Sequence, residues 1–299
     1  MAESEQSSEI KLTVPWGHVA AKTYGSPTGE PVLLLHGRMD NAGTFTRLIR
    51  HLPIGLFYYV CIDLPGHGRS SHFPSWMLLD IMTYVQTLRF ILEALQWETC
   101  IFMGHSMGGQ IGLIYSTFQP HRFKKIICFD GFLMELKNTP EIRKYFKNAF
   151  TLSIQFNSNI KPKSYTREEI LRALTTLRVA ALSPEAADAM FDRAVTEVNG
   201  RYIYNRDIRL KNYPFTFMNV ELFNYFNRKI SVPVYLFSAS SGFATSSPNA
   251  FTAACDAIDP KMLHVINIEG NHDVHNNNPE KIAPILCKIL NNEYSTSKL

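Results

Sequence analysis

The run Cys100-Ile-Phe-Met-Gly104-His105-Ser106-Met107-Gly108-Gly109 sets a serine between two glycines in the pattern G-x-S-x-G. A strand-like apolar stretch precedes it and an apolar-periodic stretch follows, so the serine falls on a strand-to-helix turn. Side chains two residues to either side would collide there, which explains Gly104 and Gly108. The turn lifts the Ser106 hydroxyl from the sheet edge. It also aims the Met107 amide, at the helix N-terminus, toward the same place, where a developing oxyanion would be stabilised. The tract Leu35-His36-Gly37-Arg38 ends an earlier apolar run, and the Arg38 amide is the expected second oxyanion donor. The chemistry these residues suit is attack of Ser106 on an acyl carbon. His36 and the turn-rich Asp63–Ser70 segment are expected to brace loops.

A serine nucleophile needs a base, and the base needs an orienting acid. His272 in Glu269-Gly270-Asn271-His272-Asp273-Val274-His275 follows an expected strand and precedes a helix, which suits the base. His275, one helical turn on, reads as a packing residue. The loop after the next-to-last strand is the usual place for the acid, yet Ser238–Ser247 contains no carboxylate. Asp130, ending the strand Lys124–Asp130 on the same sheet edge as Ser106, is the expected acid, with Asp256, Asp259 and Asp207 as weaker alternatives. Asp273 is poorly placed to bond the ring beside it. Gly37, His105, Phe132, Phe215 and Phe217 are expected around the substrate, and no metal or cofactor is expected.

The elements that hold these residues alternate. Expected strands at Val32–His36, Tyr58–Asp63, Thr99–Gly104, Lys124–Asp130, Val234–Ala239 and Met262–Ile268 are interleaved with helical stretches, after an opening hairpin at Ile10–Val14 and His18–Tyr24. This predicts an α/β fold: a mostly parallel eight-stranded sheet with helices on both faces. The rhythm breaks between residues 132 and 229, where helices are expected at Glu141–Phe150, Arg167–Ala181, Pro184–Val198 and Thr216–Asn227. The expected division is a core of residues 1–131 and 230–299 with an inserted helical cap of 132–229. Aromatics in the cap, including Tyr145, Phe146, Phe150 and Tyr213, would form either its core or an apolar pocket wall. The charged Asn205-Arg206-Asp207-Ile208-Arg209-Leu210 segment within it reads as an ion-pair network or as a site for a substrate anion.

Together the elbow, the H-G loop and the late histidine resemble the α/β-hydrolase superfamily. Val14-Pro-Trp-Gly-His18, the H-G-x-x-D-N-A run at His36–Ala42, Gly104–Met107, N-R-D-x-R-L at Asn205–Leu210 and G-N-H-x-V-H from Gly270 resemble the serine hydrolase-like proteins and their relative kraken. The likeness spans nearly the whole chain. It implies the α/β-hydrolase fold, a serine hydrolase activity and a peroxisomal or vesicular location, without a defined substrate. Position 38 is Arg where relatives typically carry Trp, which bears on the pocket wall and leaves the backbone donor intact.

Composition narrows the setting. The 299 residues are 45% hydrophobic, which excludes intrinsic disorder, and the formal charge of +4 is too small and dispersed for a dedicated nucleic-acid binder. The five cysteines are widely spaced and form no C-x-x-C pair, so reduced, mostly buried thiols are expected. The acidic start, MAESEQSSEI, lacks the pattern of a secretory signal, and no apolar run approaches the length of a membrane span. The chain ends Ser297-Lys298-Leu299, the peroxisomal import address read by a receptor. The expected protein is a carboxylesterase-like serine hydrolase of a small, largely apolar ester or thioester. The rival readings are an enzyme of the same triad acting on C–C or peroxide bonds (a C–C hydrolase or perhydrolase), and a ligand-binding protein without turnover.

Overall fold

Strand β3 (Glu30–Leu35) shows why the centre of this molecule is a sheet covered twice: Val32, Leu33, Leu34 and Leu35 are all fully buried. Alternate residues enter two separate apolar clusters, Leu33 and Leu35 on one face, Val32 and Leu34 on the other. That is the pattern of a parallel strand sandwiched between helices. The computed structural model describes residues 7–133, 142–158, 162–178, 180–212 and 219–294.

In chain order the strands are β1 (Ser8–Val14), β2 (Gly17–Tyr24), β3, β4 (Phe57–Ile62), β5 (Cys100–His105), β6 (Phe123–Phe129), β7 (Val195–Val198), β8 (Arg201–Tyr204), β9 (Val234–Ser241) and β10 (Leu263–Asn271). Eight of them form one sheet in the order β1-β2-β4-β3-β5-β6-β9-β10. β2 runs antiparallel to both neighbours and the remaining pairs are parallel, so the C-terminal ends of β3, β5, β6, β9 and β10 share one edge. The expected sheet is therefore present, and every candidate catalytic residue follows one of those ends.

Helices Ile142–Asn157, Arg167–Thr176 and Pro184–Ala194 lie between β6 and β9, and the last two share a small apolar cluster around Ile170, Leu174, Met190 and Phe191. Several details differ from the expected cap: the first helix runs to Asn157 rather than Phe150, and the second ends at Thr176 rather than Ala181. The expected helix Pro184–Val198 stops at Ala194, and the chain turns into the hairpin β7–β8. Asn199 and Gly200 make that turn with φ of 53° and 73°, the left-handed pair a tight hairpin needs. Helix Val220–Lys229 sends Phe223 and Phe226 into the core cluster, so this end of the insertion is packed as part of the core. The expected helix Thr44–Leu52 is a short 3₁₀ turn, Ala42–Phe45, followed by the single helical turn Thr46–Ile49.

Cys61, Cys100 and Cys128 are buried, and Cys255 and Cys287 are partly so; all five are free thiols. Burial pushes the Cys100 thiol up to about 12 and the Cys61 and Cys128 thiols higher still, which leaves them poor nucleophiles. Among the described residues no helix is long and apolar enough to cross a membrane.

Candidate active site

Ser106 occupies the turn between β5 and helix Met107–Phe118 with φ 51° and ψ −120°, a strained conformation for a residue with a side chain. A Cβ on Gly104 would lie 2.4 Å from the Gly109 nitrogen, and one on Gly108 would lie 2.2 Å from the Leu35 carbonyl oxygen. Both glycines are thus required by close backbone approach. Met107 is the first residue of the helix, where amides have no acceptor within the helix. Gly104 pairs in register with Leu35 of β3 and Cys128 of β6, so the loops after those strands flank the serine.

Asp130 immediately follows β6. Its Oδ2 lies 2.5 Å from His272 Nδ1, with side-chain exposures of 2% and 17%. The Ala239 amide donates to Oδ1 at 3.1 Å and the Phe243 amide to Oδ2 at 3.0 Å. The Ala239 amide belongs to the end of β9 and the Phe243 amide to the acid-free segment just after it. A Cβ on Gly242 would fall 2.3 Å from both carboxylate oxygens, so a glycine in that loop is what lets Asp130 reach across. The Asp130 backbone itself is left-handed, with φ 45°. Phe243 covers the His272 ring with centroids 4.2 Å apart.

A second cluster lies beneath. His105 is 1% exposed, its Nε2 lies 3.1 Å from the His272 carbonyl oxygen, and its ring stacks 4.1 Å from that of His275. Asp40 Oδ2 is 3.5 Å from His105 Nδ1, an ion-pair distance too long for a good hydrogen bond, and Asp273 Oδ1 is 4.0 Å from Nε2. Burial alone would lower the His105 pKa, but the Asp40 and Asp273 carboxylates outweigh it and the net direction is upward. Arg178, from the insertion, donates to Asp40 Oδ1 at 2.7 Å and to both Asp273 oxygens at 2.9 and 3.0 Å. Asp40, His105 and Asp273 bring ligand atoms within 4.8 Å of one another, the spacing of a cation site, and the Arg178 guanidinium is the cation that fills that role here.

The expected site residues therefore divide. Ser106, His272, Asp130, Met107 and the Gly37–Arg38 loop converge on one sheet edge. His105, expected against substrate, faces inward. Gly37 is buried, its carbonyl accepting from His36 Nδ1 at 2.7 Å and from the Asp40 amide. Phe132 is 3% exposed and packs in the core. Phe215, Phe217, Tyr213 and Ser297–Leu299 lie outside the described residues. Of the cap aromatics, Tyr145 is buried and donates to the Leu79 carbonyl, while Phe150 is exposed. The Arg38 side chain donates to the Leu210 carbonyl at 2.9 Å, tying the oxyanion loop to the insertion. Asp207 forms a forked pair with Arg209, the ion-pair arrangement expected of this segment. Arg178 and its two acids were missed by sequence reasoning, since their pairing spans 138 and 95 residues.

The family model of the alpha/beta hydrolase fold matches residues 30–191. The chain belongs to the α/β-hydrolase fold family. Within it the chain is similar to serine hydrolase-like proteins: 33% identical to serine hydrolase-like protein 2 of Homo sapiens, over 95% of this chain and 94% of that one, and 32% identical to the Danio rerio protein, over 95% and 88%. Among solved structures, a hypothetical protein of Pseudomonas aeruginosa superposes with a TM-score of 0.80 at 26% identity, covering 94% of this chain and 97% of that one. The thioesterase domain from the curacin biosynthetic pathway shares the fold, with a TM-score of 0.79 at 18% identity over 94% and 99%.

Proposed function

We propose that this protein is a serine hydrolase that cleaves a carboxylic ester or thioester of a small, largely apolar substrate through an acyl-enzyme. The observation that carries the reading is the 2.5 Å contact of Asp130 with His272 Nδ1, on the sheet edge where Ser106 holds its strained turn. The carboxylate keeps the proton on Nδ1 and leaves Nε2 as the base. Ser106 Oγ attacks the acyl carbon while His272 takes its proton. The Met107 and Arg38 amides hold the resulting oxyanion, each worth about 2.7–4 kcal/mol. Collapse expels the alcohol or thiol, which receives the proton from His272. Water, deprotonated by the same imidazole, then releases the acid and frees Ser106. The acid-free loop after β9 would favour a binding protein without turnover; Asp130 accepting the Ala239 and Phe243 amides at that end of β9 supports the catalytic reading instead.

The test is covalent labelling with a fluorophosphonate. The wild-type protein should gain one adduct, and Ser106→Ala should gain none. An unlabelled wild-type protein that also fails to turn over short aryl esters would sink the proposal. The terminal Ser297-Lys298-Leu299 supports a second element of the reading, import into peroxisomes. Deleting those three residues should leave a tagged protein in the cytosol, and an unchanged peroxisomal signal would refute it.

A further inference from the structure

The Asn205–Leu210 segment carries two arginines with different surroundings. Arg209 is 4% exposed, forked onto Asp207, and donates to the carbonyls of Phe73, Pro74, Ser75 and Met77. Its charge and its donors are accounted for, and its work is to hold the insertion on the core. Arg206 is half-buried, with its guanidinium carbon 4.2 Å from the Tyr204 ring centroid. Among the described residues it has neither a carboxylate partner nor a hydrogen-bond acceptor. Asp207, next in sequence, is committed to Arg209. Asp40, the acid whose field it feels, is bonded to Arg178, and Arg178 repels it. Burial draws the Arg206 pKa down, the direction of a cation short of compensation.

A guanidinium does not escape this by losing its proton, and a charge drawn partly out of water gains from a partner. Arg206 also cannot simply swing into water with its loop. The Asn205 carbonyl accepts from His72 at 2.8 Å, the Asp207 amide donates to the Gly66 carbonyl at 2.7 Å, and the Leu210 carbonyl accepts from Arg38. The loop is thus pinned against the oxyanion loop and the turn after β4, with one uncompensated positive charge. One such charge balances a monoanion, and its planar fork meets a carboxylate through two parallel N–H···O bonds.

We propose that Arg206, backed by the Tyr204 ring, binds a carboxylate on the substrate, remote from the bond that Ser106 attacks. This rests on the serine hydrolase reading and adds one anionic group to an otherwise apolar acyl portion.

Two aryl esters of similar size test it, 4-nitrophenyl hydrogen succinate and 4-nitrophenyl butyrate. The wild-type enzyme should prefer the half ester. Arg206→Gln should lower the ratio of the two kcat/KM values about 30-fold, mainly through KM, and Arg206→Lys should restore part of it. A wild-type preference for butyrate, or a ratio in Arg206→Gln within twofold of wild type, overturns the inference. Binding of monomethyl succinate and methyl butyrate to Ser106→Ala, followed by ligand-observed NMR, separates the two ideas. Carboxylate-selective binding lost in the double variant with Arg206→Gln, in a protein whose wild type takes no fluorophosphonate, keeps the carboxylate site and discards the hydrolase. Labelled wild type without selective binding does the reverse.

Discussion

Two histidines with acidic neighbours lie 4.7 Å apart, ring centroid to ring centroid, and their surroundings suit them to opposite tasks. His272 keeps 17% of its side chain exposed and has one close carboxylate, Asp130. His105 is sealed between Asp40 and Asp273, with Arg178 neutralising both acids from the outside. Chain position alone would mislead: His105 adjoins Ser106, and Asp273 adjoins His272. A base must reach solvent and substrate, whereas a fully enclosed imidazole can only hold loops together. The cluster under the site ties the oxyanion loop, the elbow and the base loop to the insertion through four side chains.

The largest predicted effect contrasts the two acids. Asp130→Asn would keep the shape but stabilise the wrong imidazole tautomer, and turnover of an aryl ester should fall on the order of 10⁴-fold. Asp273→Asn should act mainly on stability. A variant pair in which Asp273→Asn loses turnover and Asp130→Asn keeps it would exchange the roles assigned here to the two pairs.

Next in size is the clamp. Arg178→Met removes the cation and leaves Asp40 and Asp273 buried around one histidine. Breaking a buried pair from one side costs about 3–5 kcal/mol, and the 21% exposure of Arg178 favours the lower end. Urea unfolding should show that loss, with the fluorophosphonate labelling rate falling as the loops loosen. A midpoint equal to wild type would mean the cluster carries no structural load.

The sequence made the sheet and the nucleophile legible because both are local. Val32–Leu35 is apolar at every position, and Gly104 and Gly108 bracket Ser106 within one turn. Asp130 emerged by elimination, since Ser238–Ser247 is free of acids. What lets its carboxylate reach His272, a glycine at 242 and two donated amides, depends on the fold and leaves no local mark in the sequence. The β7–β8 hairpin was readable in principle from Asn199-Gly200 between β-branched and aromatic residues, but the helical period of Pro184–Ala194 ran up to it and masked the break. Arg178 had no such signal, because nothing local distinguishes an arginine that will be enclosed from one that will be solvated. The same holds for Arg206 and Arg209, three residues apart and indistinguishable until burial and partners are known.

The smallest effect tests the buried histidines against one another. His36 and His67 both donate through Nδ1 to a carbonyl, of Gly37 and Pro65, and both accept a backbone amide at Nε2, from Leu64 and Met39. That geometry fixes the neutral ring, and burial draws the pKa of His36 down to about 4 and of His67 to about 3. Their contribution is present above pH 6.5, the unfolded value, and is lost as pH falls toward the folded values. For His36 alone the loss between pH 6.5 and 4 is on the order of 3 kcal/mol. His105 has the opposite sign: with its pKa raised, it stabilises fully below 6.5 and stops doing so as pH rises through its folded value. Urea midpoints taken from pH 4 to 8, short of the range in which the buried thiols also titrate, should therefore fall on both sides, steeply in acid and shallowly in base. His105→Gln should flatten only the basic limb. A basic limb that persists in that variant would show that His105 is not held by its two acids, and would remove half of the contrast between the two histidines.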